Sequence, residues 1–368
     1  MTGTLRSPDS PDVYTVTGPT AVEWLANSWP DLYRRDWAAT PYAHPGWLLG
    51  WAAHLPPGSG PLLLLALDDR LGIAAALPLA RTSRPDGTTL ITVLAPAGEY
   101  NGPVGPRAGG HDVAAVLADS LTALAQHGAV RLTNIPLNSA LGRELAARPA
   151  WRHTIAETAV VLLPWDRAAL RSSDRRQHDR RDRRLAAAGH RITYQRARLG
   201  PGRAGADAVR VLERLHAARW PAEDGAGPRP DWAAILHRIP PEDGFVGLLL
   251  LDGRPVAAQL VLTRYTGAYS ALAAMDPAWS HLAVGHALQR LLIADLTAHG
   301  CTARVPQCNR LDLGPTRPEQ RSYKSQYGPL WGKNATFALD STPAAELPRP
   351  APLGRYHNPE NPESTELL

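Results

Sequence analysis

Two stretches of this chain repeat the same succession of elements, and that repetition limits the fold more than any other feature. "LLLLALDDRLGIAAALPLAR" (62–81) and "GLLLLDGRPVAAQLVLTR" (247–264) both read as strand, tight turn, strand. Downstream, "LADSLTALAQHGAVRLTNI" (117–135) matches "LLIADLTAHGCTARVPQC" (291–308): a helix closes at His-Gly in each, as expected of a left-handed C-cap, and a strand follows. The first copy is longer, mostly within "TSRPDGTTLITVLAPAGEYNGPVGPRAGG". The second copy gives the clearer unit. A helix with apolar residues near a 3.6 period, "ADAVRVLERLHAARW", precedes three antiparallel strands, "GFVGLLLL", "RPVAAQLVLTRY" and "AYSALAAM"; then come a turn, the long helix "VGHALQRLLIADLTAHG" and a strand ending at "RLDLG". A meander that feeds a helix and returns to the sheet is an α+β layout. We therefore expect a duplicated α+β protein.

At 368 residues the chain exceeds the size of one ordinary core, which agrees with two domains. Hydrophobic residues make up 44% of it, which excludes a disordered or fibrous class. Cys301 and Cys308 are the only cysteines, seven apart and without a zinc-like spacing, so no disulfide framework and no metal site are expected, and a reducing, cytoplasmic setting is. The opening "MTGTLRSPDSPDVYTV" has no signal-peptide core, and "LLLLAL" falls far short of the roughly 20 apolar residues of a membrane span. The tail "STPAAELPRPAPLGRYHNPENPESTELL", rich in Pro, Glu and Ser, is expected to be disordered.

The net charge of +5 does not signal nucleic acid, but its distribution is uneven. "RSSDRRQHDRRDRR" (171–184) carries seven Arg against three Asp and runs into "LAAAGH", where Gly189 suits a helix C-cap. It reads as one short basic helix, either a solvated face laced with Arg–Asp pairs or a surface for a phosphate-rich partner. Lysine, by contrast, occurs only at 324 and 333 in a chain whose cations are otherwise arginine. Where a plain surface charge suffices this composition uses Arg, so Lys324, in a polar loop after a strand end, is expected to act as a compact point charge near a phosphate or a developing oxyanion. The alternative is a chance lysine on a solvated loop.

Several further stretches, taken in order, resemble a known family. They are "TPYAHPGWLLGW", "AGEYNGPVG", "SDRRQHDRRDRRLAAAG", "LHAARW", "DPAWSHLAVGHAL" and "LDLGPTRPEQRSYKSQYG". Together, over about residues 14–340, they are similar to the GNAT acyltransferase superfamily, and specifically to its tandem-domain cellulose-biosynthesis (CelD/BcsL-type) acetyltransferases, relatives of the Fem aminoacyltransferases. The resemblance implies two tandem GNAT-like domains, each a mixed, mainly antiparallel sheet with flanking helices. Their expected bounds are 1–165 and 191–340, with a basic connecting helix at 166–190 and the tail from 341 to 368. It also implies that the acyl donor's pyrophosphate lies on backbone amides at the start of the helix after the third meander strand, where the helix dipole favours anions. In this chain that turn supplies Ala283, Val284, Gly285 and His286, with His281 and Leu282 standing where the family usually has Gln or Arg. The resemblance places Lys324 near acyl or phosphate groups, with Tyr323 filling space or donating a proton.

Aminolysis of a thioester needs a base for the amine and stabilisation of the oxyanion and leaving thiolate, but no protein nucleophile. Candidate bases are the groups able to line the cleft between halves: Glu99, His216 and Asp312, with Tyr100 and Asn101 beside Glu99. Each also has a plain structural reading, as support of a Gly-Pro loop, a helix-face histidine or a loop cap. Tyr100, Asn101, Arg219 and Trp220 are candidate acceptor contacts. The expected activity is transfer from acyl-CoA to the amine of a small molecule or amino sugar. The alternatives are a Fem-like transferase using aminoacyl-tRNA, with the helix at 171–184 on the tRNA backbone, and a non-catalytic binding module.

Overall fold

The hairpins that open each meander form where alternation and turn chemistry direct them. In a computed structural model that describes residues 11–68, 72–200, 202–220, 230–301 and 307–340, Asp252 and Gly253 both take positive φ (50° and 83°) between two strands. That is the type I′ geometry a two-residue hairpin favours. The disordered-tail expectation at 341–368 lies outside the described residues.

The N-terminal half runs β1 (Asp12–Thr17), α1 (Gly18–Asn27), α2 (Trp29–Arg35), α3 (Pro45–Ala53), β2 (Ser59–Asp68), β3 (Gly72–Ser83), β4 (Thr89–Val93), α4 (His111–Ala125), β5 (Gly128–Pro136), α5 (Ala140–Ala146) and β6 (Arg152–Leu162). The basic helix is α6 (Ser172–Ala187), and Gly189 follows its C-cap with φ of 74°. The second half runs β7 (Ile192–Arg198), α7 (Arg203–Arg219), α8 (Trp232–Leu236), β8 (Gly244–Leu251), β9 (Arg254–Arg264), β10 (Gly267–Met275), α9 (Val284–His299), β11 (Arg310–Thr316), α10 (Pro318–Ser325) and β12 (Leu330–Asp340). Short 3-10 turns occur at Pro41–Ala43 and Pro277–Leu282.

All twelve strands join one sheet in the order β1-β2-β3-β4-β5-β12-β6-β11-β10-β9-β8-β7. Counted inward from the two edges, β2–β3 and β8–β9 hold equivalent places, as do the parallel pairs β4–β5 and β10–β11. At the centre the halves exchange strands: β12 pairs with β5, β6 pairs with β11, and β6 and β12 pair with each other, all antiparallel. The protein is thus α+β, with two GNAT-like units in tandem whose last strands are swapped across a shared seam. The halves also share a core, in which Leu25, Trp29 and Trp47 pack with Leu212, Ile235 and Leu260. At the crossing of α3 and α8 a Cβ on Gly50 would lie 2.9 Å from the Ile235 backbone, so this approach requires glycine.

Three expectations are corrected. Gly128 is not a left-handed cap: α4 ends on Gln126 and Gly128 opens β5, where a Cβ would lie 1.9 Å from the Thr89 carbonyl oxygen. Gly300, with φ of 72°, does close α9. The segment carrying Tyr323 and Lys324 is helical, not a polar loop, because Pro318 stands at the first turn and Gln320 reaches back to the Arg317 backbone. Lys324 is also buried, at 7% exposure, which removes the reading of a solvated survivor.

Candidate active site

The parallel strands β10 and β11 pair only from Gly267–Tyr269 to Arg310–Asp312. Past that point β10 shifts register against β9 between Ser270 and Leu272, and β11 shifts against β6 between Asp312 and Pro315. Where the strands part, side chains from both halves meet. Asp312, buried, accepts from the Gly314 N–H at 2.8 Å and from the Tyr100 hydroxyl. Tyr42 Oη donates to Glu99 Oε2 at 2.8 Å. The Glu99 carboxylate lies against Gly314, whose φ is 71° and where a Cβ would come within 2.3 Å of it, so the bend in β11 and the seat of Glu99 both depend on that glycine.

The N-terminal half delivers Glu99 and Tyr100 on the segment after β4, and that segment is firmly held. Asn101 donates from its backbone to Asn134 O at 3.0 Å and from Nδ2 to Gly98 O and Thr133 O at 3.0 and 2.9 Å. Asn334 of β12 donates to the Glu99 carbonyl at 2.7 Å. The rings of Tyr42, Tyr100 and Tyr269 form a triangle with centroids 6.1–6.3 Å apart, and Arg310 donates to the Tyr269 hydroxyl.

Lys324 approaches from α10 and gives its three donors to three successive carbonyls, Leu313 at 2.6 Å, Gly314 at 3.1 Å and Pro315 at 2.8 Å. A lysine ammonium has three donors, so this set is complete. It clamps the bend of β11 and places a positive charge near Glu99 and Asp312. Burial, then the charge of Asp312, raises the Glu99 carboxyl to about 8, opposed by Lys324 and the Tyr42 hydrogen bond. Burial lowers Lys324 to about 8, opposed by the two carboxylates. Burial also raises Asp312. A desolvated carboxyl held near neutrality beside a strand split can take a proton from an amine.

The expected donor turn sits at the start of α9. Ala283 is its N-cap in left-handed conformation (φ 53°, ψ 41°), and its own N–H is bonded to Ser280 O at 2.9 Å. Ala283 therefore offers no amide to a ligand, a correction to the expected set. Val284, Gly285 and His286 supply the first-turn amides, which have no intrahelical acceptor. The Val284 side chain is buried, and a Cβ on Gly285 would meet only Met275 Sδ, at 3.5 Å. His281 is exposed and its carbonyl accepts from Arg184 at 3.1 Å.

Tyr323 stacks edge-on against His286 at 4.6 Å, which brings α10 against the beginning of α9. His286 Nδ1 lies 3.1 Å from Tyr327 Oη and 3.3 Å from Arg181 Nη1. Burial, then Arg181 and Arg290, lowers His286 to about 2, so its ring is neutral and accepts. The basic helix is not merely a solvated face, since His178, Arg181 and Leu185 form a buried stripe on it and Arg181 also reaches Gln326. His216 and Arg219 stand on the last turn of α7 with Trp220 at its C-cap, and the hydrogen bonds that define the Glu99–Asp312 cluster run through other residues. Of the residues expected from the sequence, Glu99, Tyr100, Asp312 and Lys324 come together here with Asn101 beside them, whereas Tyr323 packs on His286 at the start of α9; Tyr42, Tyr269, Arg310 and Asn334 were not expected. Tyr42 lay within the quoted "TPYAHPGW" stretch; the others resemble ordinary strand residues.

Among the described residues no group of three or more metal-ligating side chains occurs, and no helix is long and apolar enough to cross a membrane.

Residues 172–317 match the family described as an acetyltransferase (GNAT) domain. That match lies in the second half of the chain and, with the fold, supports an acyltransferase. Among solved structures, FemX is 12% identical with a TM-score of 0.54, covering 81% of this chain and 96% of its own. L-PGS from Bacillus licheniformis is 14% identical with a TM-score of 0.53, covering 91% of this chain and 94% of its own. A DUF2156 C-terminal domain from Agrobacterium fabrum is 13% identical with a TM-score of 0.53, covering 87% and 92%. These likenesses are of fold. No curated protein matches the sequence.

Proposed function

We propose that the protein is an N-acyltransferase that moves an acyl group from acyl-CoA to the amine of a small molecule or amino sugar by direct attack. The observation that carries this reading is the buried Glu99 carboxyl, poised near neutrality at the point where β10 and β11 part. The donor's pyrophosphate lies on the amides of Val284, Gly285 and His286, and its thioester reaches the strand split. The amine nitrogen bonds to the thioester carbonyl carbon while Glu99 takes the amine proton. Collapse of the tetrahedral intermediate breaks the C–S bond, and Tyr323 protonates the departing thiolate. Asp312 and Lys324 set the charge around Glu99 and hold the bend of β11. In this reading the N-terminal half (1–165) supplies the wall and the base, α6 within 166–190 joins the halves, and 191–340 supplies the donor end. A cytoplasmic setting, suggested by cysteine usage, suits a coenzyme A donor.

The test is steady-state turnover with acetyl-CoA over a panel of primary amines. Glu99→Gln is expected to lower kcat/KM by about 10² to 10⁴ while leaving donor KM near that of the parent. Unchanged turnover in that variant would remove Glu99 from the chemistry. A second reading, aminoacyl-tRNA as donor, is favoured by one observation: Arg167, Arg175 and Arg176 line an open basin of about 550 Å³ with Ser172 and Asp179 at the start of α6. A tRNA donor makes binding fall steeply with salt, whereas coenzyme A on backbone amides depends on it weakly. If neither donor raises the Tm, the fold serves as a binding module.

A further inference from the structure

The chain's two cysteines are free, buried thiols whose sulfur atoms lie 2.7 Å apart. Cys301 follows the end of α9, and Cys308 precedes β11. We propose that this pair is a modification site: a dithiol that closes to an intramolecular disulfide when it meets a small two-electron oxidant of the peroxide class.

The geometry already brings the partners together. A disulfide bond is about 2.05 Å long, so closure needs a small side-chain adjustment and no rearrangement of the elements that carry the pair. The surroundings fix one side of it: Arg196 donates to Gly300 O at 3.0 Å and to Cys301 O, and is itself held by Asp295 at 3.2 Å. The two thiols are not equivalent. The hydrogen bond from Cys301 favours the thiolate at Cys308, and Arg196 adds to this, whereas the same bond and burial hold Cys301 in the thiol form. Cys308 is also the more open of the two, at 8% exposure against 0%. Since the thiolate is the attacking form, Cys308 reacts first. With no other cysteine in the sequence, each has a single partner within the chain.

The chemistry balances with hydrogen peroxide as oxidant. The Cys308 thiolate attacks one peroxide oxygen, the O–O bond breaks, and a sulfenic acid forms as hydroxide leaves and is protonated to water. Cys301 sulfur then attacks Cys308 sulfur; the S–S bond forms, the S–O bond breaks, and the Cys301 proton departs with the oxygen as a second water. The pair loses two electrons and two protons. The bond would tie the end of α9, whose first turn offers the amides, to the approach of β11, which carries Asp312 four residues beyond Cys308.

The test uses the full-length native protein treated with hydrogen peroxide, then denatured and alkylated. The expected product is lighter by two hydrogen atoms, takes up no alkylating reagent, and yields a cross-linked peptide joining Cys301 to Cys308; dithiothreitol restores both reactive thiols. A rise in Tm of roughly 2–6 °C accompanies closure and is absent from Cys301→Ser and Cys308→Ser. Two alkylated thiols at unchanged mass, a sulfinic acid on either residue, or disulfide-linked dimers would overturn the proposal. The mass measurement on the parent protein decides the matter even if a serine variant does not fold. Acyl transfer enters none of these readouts, so the result is independent of the proposed activity.

Discussion

The two halves of the sheet use the same succession of strands and helix, yet they treat the gap between their parallel strands in opposite ways. In the second half, residues 276–283 lead directly from β10 into α9, where a Cβ on Gly285 in the first turn would meet only Met275 Sδ at the end of β10, at 3.5 Å. In the first half, residues 94–110 intervene between β4 and α4. That segment turns back on the sheet: Val104 forms a two-bond bridge with Ala76 (2.8 Å each way), Gly105 N–H donates to Asp36 at 3.0 Å, and Asn101 is bonded on three sides. The first half therefore fills its own gap and sends Glu99 and Tyr100 across the seam to the other. The Glu99–Asp312 cluster is thus built by both halves, with Glu99 and Tyr100 from one and Asp312 and Lys324 from the other.

The largest expected effect comes from the clamp on the bend of β11. Lys324→Ala leaves three carbonyls without their donor and two buried carboxyl groups without their counter-charge, and should destabilise the protein by about 3–5 kcal/mol in denaturant unfolding. Lys324→Arg should recover little of this, because a planar fork cannot reproduce three convergent bonds. If the charge instead acts on the reacting groups alone, stability will hold while turnover falls. Next in size is Asn101→Ala in the filled gap, expected to cost about 1–3 kcal/mol and to lower kcat through a loosened Glu99, with donor KM unchanged. In the open gap, Gly285→Val should do the reverse, raising donor KM roughly tenfold, about 1.4 kcal/mol, with little change in Tm. If these two variants shift the same kinetic constant, the division of labour between the halves fails.

A smaller effect is expected from pH on stability. Glu99 has a folded-state pKa of about 8 against an ordinary value of 4.5, so the folded state binds the extra proton between them. Its contribution is present in full below about 4.5 and is lost as pH rises through about 8. Thermal unfolding followed from pH 5 to 8 should show a decline that is shallower in Glu99→Gln; parallel profiles would place the titration elsewhere.

Much of the fold was legible because the signals are local. The Asp252-Gly253 turn, the period of α7 and the order of the two meanders all lie within short windows, and the structure has them where the pattern puts them. The exchange of β6 and β12 was not, because a strand's alternation says which face is buried but not which of several distant strands it joins. The site was legible in its parts. Scarcity singles out Lys324, but its three carbonyl partners depend on α10 being a helix, which rests on the cap that Gln320 closes on the Arg317 backbone. Glu99 and Asp312 could be named as acids; that they face each other follows from the bend at Gly314 and the segment fixed by Asn101, both products of long-range packing. The two cysteines looked unrelated at seven residues apart because a spacing does not reveal how the chain turns between a helix end and a strand.

The central claim is that Glu99, delivered by one half, is the base for chemistry whose donor is held by the other. The most direct test is kcat/KM against pH for the parent and for Glu99→Gln, with acetyl-CoA saturating and the amine varied. The account predicts a parent profile that climbs with pH through a group of pKa near 8 and a variant that has lost that limb and lies far below it. The same limb at the same position in Glu99→Gln would contradict it.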